Sequence, residues 1–196
     1  MDAYRAIPRV SNSDLTRLKN QLFGYRQPPP EKALAFGAAL HQCLLEPASA
    51  GEPPEGVDAR LLETLVGQVR QHACCRWYLR FGRKERVVLF DDPTTGVACK
   101  SKLDVVYKSH TILDFKTTSA RDYASFVASC GPYDYDRQAA FYLDGSGSKR
   151  FIFVGVQKCK PFQLFFFEVT REAGFLEMGR KKYRALLRQW REVYGV

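Results

Sequence analysis

No run of apolar residues in this 196-residue sequence approaches the ~20 needed to span a bilayer, and the opening MDAYRAIPRV has no apolar signal core. No membrane association is expected, and the expected location is the cytoplasm. The six cysteines, at positions 43, 74, 75, 99, 130 and 159, include no C-x-x-C pair, the spacing by which zinc and iron–sulfur sites are usually built. Adjacent Cys74 and Cys75 on a helix would point about 100° apart and chelate poorly, so reduced structural thiols are expected. Internal repeats and low-complexity tracts are absent too. Acids are in short supply: 21 Asp and Glu against 30 Lys and Arg leave a net charge of +9. That surplus favours a polyanionic partner such as nucleic acid.

What is present describes one domain over residues 1–196, because a 45% hydrophobic content can cover a sheet with helices on both faces. Residues 1–50 read as a helical N-terminal part. Ser11 and Asp14 in SNSDLTRLKNQLFGY resemble a capping box opening an amphipathic helix, and the run Pro28, Pro29 and Pro30 reads as a hinge or rigid spacer. A second helix is expected from Lys32 to Glu46, stopped by Pro47, with His41 inside it. A long helix follows from about Asp58 to Phe81, where Leu62, Leu65 and Val69 have helical spacing. The runs RVVLF, KSKLDVVY and TILDF, separated by turn residues, predict a three-stranded meander. Two short helices around DYASFVAS and DRQAAFYL come before strands RFIFVGVQ and FQLFFFEV. A basic helix from Arg171 to Tyr194 closes the chain, with Phe175, Met178, Leu186, Leu187, Trp190 and Val193 expected to face the core. Its many cations, from Arg171 to Arg191, read as a solvated face. The fold class is α/β: a central mixed sheet, its antiparallel meander flanked by helices.

The meander carries the chemistry. With the second hairpin turning at Ser109, residues whose numbers sum to 218 face each other, which sets Asp104 opposite Asp114 at a Cβ separation of about 5 Å. With the first hairpin centred between Thr94 and Thr95 the sum is 189, which pairs Glu85 with Asp104. Three acids would then form one row, and Lys116, two residues beyond Asp114, would share their face. Clustered carboxylates repel one another and stay ionised only beside a cation or strong donors; hard oxygen ligands select Mg²⁺, with Mn²⁺ as a substitute. Such a metal lowers the pKa of bound water and stabilises charge on a phosphate. The neighbours Ile112, Leu113 and Phe115 argue that the strand is buried, and a buried acid needs a partner.

Asp104 followed by Ile112-Leu113-Asp114-Phe115-Lys116-Thr117-Thr118 resembles the PD-(D/E)XK nuclease superfamily, in its RecE-like and RecB-like exonuclease branch. Tyr133-Asp134-Tyr135-Asp136-Arg137-Gln138 through Tyr142 is similar to that branch's Q-x-x-x-Y motif, and Val10 to Leu15 and Phe36 to Pro47 are similar to the same group. The family's Pro-Asp pair is replaced by Leu103-Asp104. The resemblance implies a restriction-endonuclease-like core, His41, Asp104 and Asp114 as metal contacts, Lys116 as the catalytic lysine and Glu85 as the upstream acid. It also implies that Gln138 and Tyr142, four apart on one helical face, join the site. The implied activity is Mg²⁺-dependent exonucleolytic hydrolysis of DNA in recombination or repair. A single-strand- or structure-specific nuclease and an inactive DNA-binding module stay open as alternatives, as do a homo-oligomer and a single-strand annealing or recombination partner protein.

Overall fold

The computed structural model of the chain describes residues 3–24 and 30–195. Five helices come first: α1 (Ala3–Ala6), α2 (Asn12–Phe23), α3 (Glu31–Leu45), α4 (Ala59–Gln71) and α5 (Ala73–Phe81). Three strands follow, β1 (Arg83–Asp91), β2 (Ala98–Tyr107) and β3 (Thr111–Thr118). Helices α6 (Tyr123–Cys130) and α7 (Tyr135–Ser146) cross to β4 (Arg150–Gln157), and β5 (Leu164–Glu168) and α8 (Ala173–Tyr194) end the chain. The strands lie in sequence order in one sheet. All neighbours are antiparallel except β3 and β4, whose parallel pairing needs the helical crossover that α6 and α7 supply. The expected mixed α/β fold is therefore present.

Local signals explain most element ends. Ser11 and Asp14 form a complete capping box, with Ser11 N donating to Asp14 Oδ2 at 2.8 Å and Asp14 N to Ser11 Oγ at 3.3 Å. Of the proline run, Pro28 and Pro29 lie outside the described residues, while Pro30 caps α3. The long helix expected over 58–81 is two helices broken at His72, whose backbone is extended (φ −65°, ψ 121°). Continued without a break, the face carrying Val69 would have turned His72, Arg76 and Arg80 toward the sheet. The one-residue break resets the phase, so that Cys75 and Tyr78 are buried instead.

Helices cover both faces of the sheet. On one face α3, α4 and α5 pack Leu40, Leu65 and Val69 against Val105, Phe115 and Val154. On the other, Phe126 and Leu143 meet Leu103, Ile112, Phe151 and Phe153, and α2 and α8 pack on α7 through Leu15, Phe141, Tyr183 and Leu187. The central strands are buried over most of their length, β3 from Thr111 to Phe115 and β4 from Phe151 to Gln157, because both faces are covered. Helix α8 departs from expectation: Tyr183, Leu186 and Leu187 face inward, while Met178 and Val193 are exposed. Gly179 sets that phase, since a Cβ there would lie 2.0 Å from the Asp136 carbonyl oxygen, and Met178 falls off the stripe that runs from 179 through 183 to 186, while Val193 lies in the last turn, which is exposed all round. All six cysteines are free, Cys74 exposed and Cys75 buried. Among the described residues no helix is long and apolar enough to cross a membrane.

Candidate active site

The strand registers are those expected, 189 between β1 and β2 and 218 between β2 and β3. The β2–β3 ladder is short, running only from Tyr107–Thr111 to Val105–Leu113. It opens at the next step, where Asp104 and Asp114 stand, so the two acids are not a hydrogen-bonded strand pair. The Asp104 side chain takes over the role of a strand carbonyl: its Oδ2 accepts the Phe115 N–H at 2.9 Å. On the far side of the gap Val10 adds to β2, donating to Ala98 O at 2.9 Å and accepting from Lys100 N at 2.8 Å. A strand that parts from its neighbour in this way exposes side chains within an otherwise closed sheet.

Asp114 is buried, with 1% of its surface exposed. Its Oδ1 is ion-paired with the Lys116 ammonium, and its Oδ2 accepts from Gln138 Nε2 of α7 at 2.7 Å. Burial pushes its carboxyl up to about 6 against the pull of Lys116, and the Asp104 charge pushes the same way. Burial alone would lower the Lys116 ammonium, but Asp114 and then Tyr135 and Asp104 outweigh it and hold it above the usual lysine range. The Lys116 ammonium lies beside two stacked rings, 5.2 Å from the Tyr135 centroid and 5.7 Å from that of Phe153. Tyr142, one turn beyond Gln138, is half-buried; burial, then Asp114 and Asp104, raise its phenol well above the ordinary range, with a Gln138 hydrogen bond in opposition.

His41 reaches the same spot from α3. Its Nε2 lies 2.7 Å from the Phe115 carbonyl oxygen and its Nδ1 3.5 Å from Asp104 Oδ2. Glu85 lines the cleft beside Asp104. It holds a left-handed backbone in mid-strand (φ 52°), and its carboxylate pairs with Lys102. That strained conformation is uncommon for a residue with a Cβ, and the carboxylate faces the cleft that Asp104 also lines. The cleft, about 360 Å³, is walled by Glu85, Lys102, Asp104, His41, Tyr142 and Tyr4. Tyr4 is held there by Lys100, a buried lysine whose Nζ donates to the carbonyls of Tyr4, Arg5 and Ile7 at 3.0, 3.3 and 2.7 Å.

Among the described residues no three side chains of His, Cys, Asp or Glu are grouped to hold a metal ion. The donors that converge are Asp104 Oδ2, the main-chain oxygen of Phe115 and the His41 ring, with Asp114 beside them under Lys116 and Gln138. Two carboxylates and a carbonyl are hard oxygen ligands, and their chemistry fits a small divalent cation. Sequence reasoning brings Asp104, Asp114, Lys116 and Gln138 to one place, but it misses the Phe115 carbonyl, Tyr135 and Lys102. A carbonyl leaves no trace in a sequence, although its position between Asp114 and Lys116 can be read there.

Residues 57–195 match the family described as a PDDEXK-like domain of unknown function, DUF3799. The chain belongs to this PDDEXK-like family. No curated protein sequence matches it. Among solved structures, a Eubacterium rectale protein designated an exonuclease is similar at a TM-score of 0.63 and 19% identity, over 88% of this chain and 71% of that one. A phage-related exonuclease of Haemophilus somnus is similar at a TM-score of 0.52 and 10% identity, over 94% and 83%. At these identities the likeness is one of fold. The PDDEXK-like match takes in Glu85, Asp104, Asp114, Lys116, Gln138 and Tyr142, and it begins after α3, so that His41 comes from outside the matched segment.

Proposed function

We infer that the chain is a divalent-metal-dependent deoxyribonuclease that hydrolyses phosphodiester bonds from DNA ends. The observation that carries this reading is Asp114, a buried carboxylate held between Lys116 and Gln138 beside Asp104, at the point where the β2–β3 ladder opens. Residue composition supports DNA as the partner through the +9 charge. The exonuclease designations of the two fold neighbours support attack at an end.

Asp104, Asp114, the Phe115 carbonyl and His41 would hold Mg²⁺, or Mn²⁺ in its place. A bound divalent ion supplies an acidified water and positive charge for the phosphate oxygens. The protein's own groups do the rest. Lys116, already positive and partly desolvated by Tyr135 and Phe153, orients the attacking water and neutralises charge developing on the phosphate. Gln138 fixes the Asp114 carboxylate by its 2.7 Å hydrogen bond, and Tyr142 backs Gln138. The Glu85–Lys102 pair lies at the wall of the cleft, where it can steer the strand entering. A role in DNA recombination or repair fits an enzyme of this kind, in company with an annealing protein.

The test is digestion of end-labelled linear duplex, covalently closed circular and single-stranded DNA with Mg²⁺, alongside Lys116→Ala. Linear substrate should be degraded and closed circles spared, and Lys116→Ala should lower the rate on the order of 10²–10³-fold. Circles cut as fast as linear DNA would overturn the requirement for ends. A wild-type protein that binds DNA but degrades none of the three would make the chain a DNA-binding module.

A further inference from the structure

Away from the cleft, α5 and the β2–β3 turn present an aromatic and cationic face with no acid in it. Trp77 and Phe81 are 41% and 56% exposed. Their ring centroids are 5.7 Å apart, and Trp77 also lies 4.4 Å from Tyr107 at the end of β2. The Arg80 guanidinium sits 5.4 Å from the Phe81 centroid, and the Lys108 ammonium the same distance from that of Tyr107. Arg76 is four residues from Arg80 and shares its side of the helix. Neither Ala73–Lys84 nor Tyr107–His110 contains an acidic residue.

The contrast with α8 makes this face distinctive. There Arg180 and Arg184 pair with Asp144, and Lys182 with Asp134 and Asp136. The basic helix that dominates the sequence thus has much of its charge neutralised by internal acids. Arg76, Arg80 and Lys108 form no ion pair among the described residues. Exposed rings of this size with free cations over them suit a ligand that brings stacking faces and negative charge together. Single-stranded nucleic acid has both, whereas a duplex keeps its base faces stacked and hidden. Arg83 and Lys84, both exposed, follow α5 at the start of β1, and Glu85 on the cleft wall comes next, about 7 Å along the strand from Arg83.

We propose that the α5 face, with Trp77 and Phe81 as stacking platforms and Arg76, Arg80 and Lys108 as phosphate contacts, binds single-stranded DNA that runs to or from the cleft along the start of β1. The proposal rests on the nuclease reading for its partner, yet it concerns binding alone and needs no metal. It gives the enzyme a hold on one strand outside the reacting site.

The chain has two tryptophans, so Trp190→Phe leaves Trp77 as the only one and its emission as a local probe. Oligothymidylate is titrated into this variant with a chelator present, so that nothing is cut. Saturable quenching is expected, with an affinity that falls as salt rises. Adding Arg80→Glu and Lys108→Glu should weaken it roughly tenfold or more and flatten the log–log salt dependence by about 0.7 for each phosphate that is no longer neutralised. A blunt duplex of equal length should quench less at equal concentration. The proposal is overturned if oligothymidylate leaves Trp77 emission unchanged, or if the double charge reversal binds as tightly as its parent. It is equally overturned if Trp77 emission follows protein concentration and sedimentation shows a dimer that DNA does not dissolve, since a second copy would then own the face. Quenching without hydrolysis by the wild type would refute the nuclease reading alone, and hydrolysis without quenching would refute this proposal alone.

Discussion

A carboxylate as enclosed as Asp114 stays charged near neutral pH only while its neighbours favour the anion, and it has two such neighbours of different kinds. Lys116 supplies charge, and Gln138 supplies a directed hydrogen bond at 2.7 Å. Gln138→Leu keeps the volume roughly and removes the donor, so the neutral acid gains relative to the anion and the Asp114 pKa, already pushed up to about 6, rises further. Activity at neutral pH should fall on the order of 10–100-fold. The acid limb of the pH–rate profile should also move to higher pH. A variant whose acid limb coincides with that of the wild type would show that Gln138 does not set the ionisation of Asp114. At this scale the sequence is informative wherever strand parity applies: Asp104, Asp114 and Lys116 share a face because strands alternate with period two. Glu85 lines the same cleft as Asp104 but pairs with Lys102, and its φ of 52° takes it out of the β1–β2 ladder locally. Nothing in RKERVV announces a left-handed glutamate.

Between elements, close approach rather than hydrophobicity decides several outcomes. Helix α8 crosses α7 at Gly179, where a Cβ would meet the Asp136 carbonyl at 2.0 Å and Ala140 Cβ at 2.9 Å. Backbone cannot move aside as a side chain can. Gly179→Ala should therefore cost ~3 kcal/mol or more. At Gly67 in α4 nothing lies within 4 Å, so Gly67→Ala should stabilise the chain by up to ~1 kcal/mol through helix propensity alone. Chemical denaturation of the two variants checks both signs, and a neutral Gly179→Ala would mean that α7 and α8 do not cross at this glycine. These close approaches explain what the pattern of residues leaves unread. Residue patterns locate the helical segments from α3 to α8, with α4 and α5 read as one, but they cannot report a change of phase or where a helix runs out past the core, and so the break at His72 and the exposure of Met178 and Val193 escape them. The capping box at Ser11 and the strand registers are legible because each is a short-range rule with a definite geometry.

On the scale of the molecule a single acid links charges from the second helix and the last one. Asp134 accepts from Lys19 of α2 at 2.6 Å and from Lys182 of α8 at 3.2 Å, and Arg137 of α7 is 3.9 Å away. Burial would raise its carboxyl, but the Lys19 hydrogen bond and the surrounding cations outweigh this and hold it below the ordinary aspartate value. A depressed folded-state pKa means that the unfolded chain binds the proton first on acidification. The stabilisation is therefore complete above about pH 4 and is lost as pH falls through the folded-state value. Asp134→Asn separates charge from shape unusually well here, because residue 134 sits in the left-handed region (φ 55°), which asparagine tolerates as readily as aspartate. The variant should be less stable than the wild type by ~1–2 kcal/mol at pH 7. It should also lose less stability than the wild type between pH 5 and pH 3, so that the two curves converge in acid. Parallel curves across that range would mean that the Asp134 cluster holds α2, α7 and α8 by shape alone, with its charges free to be neutralised.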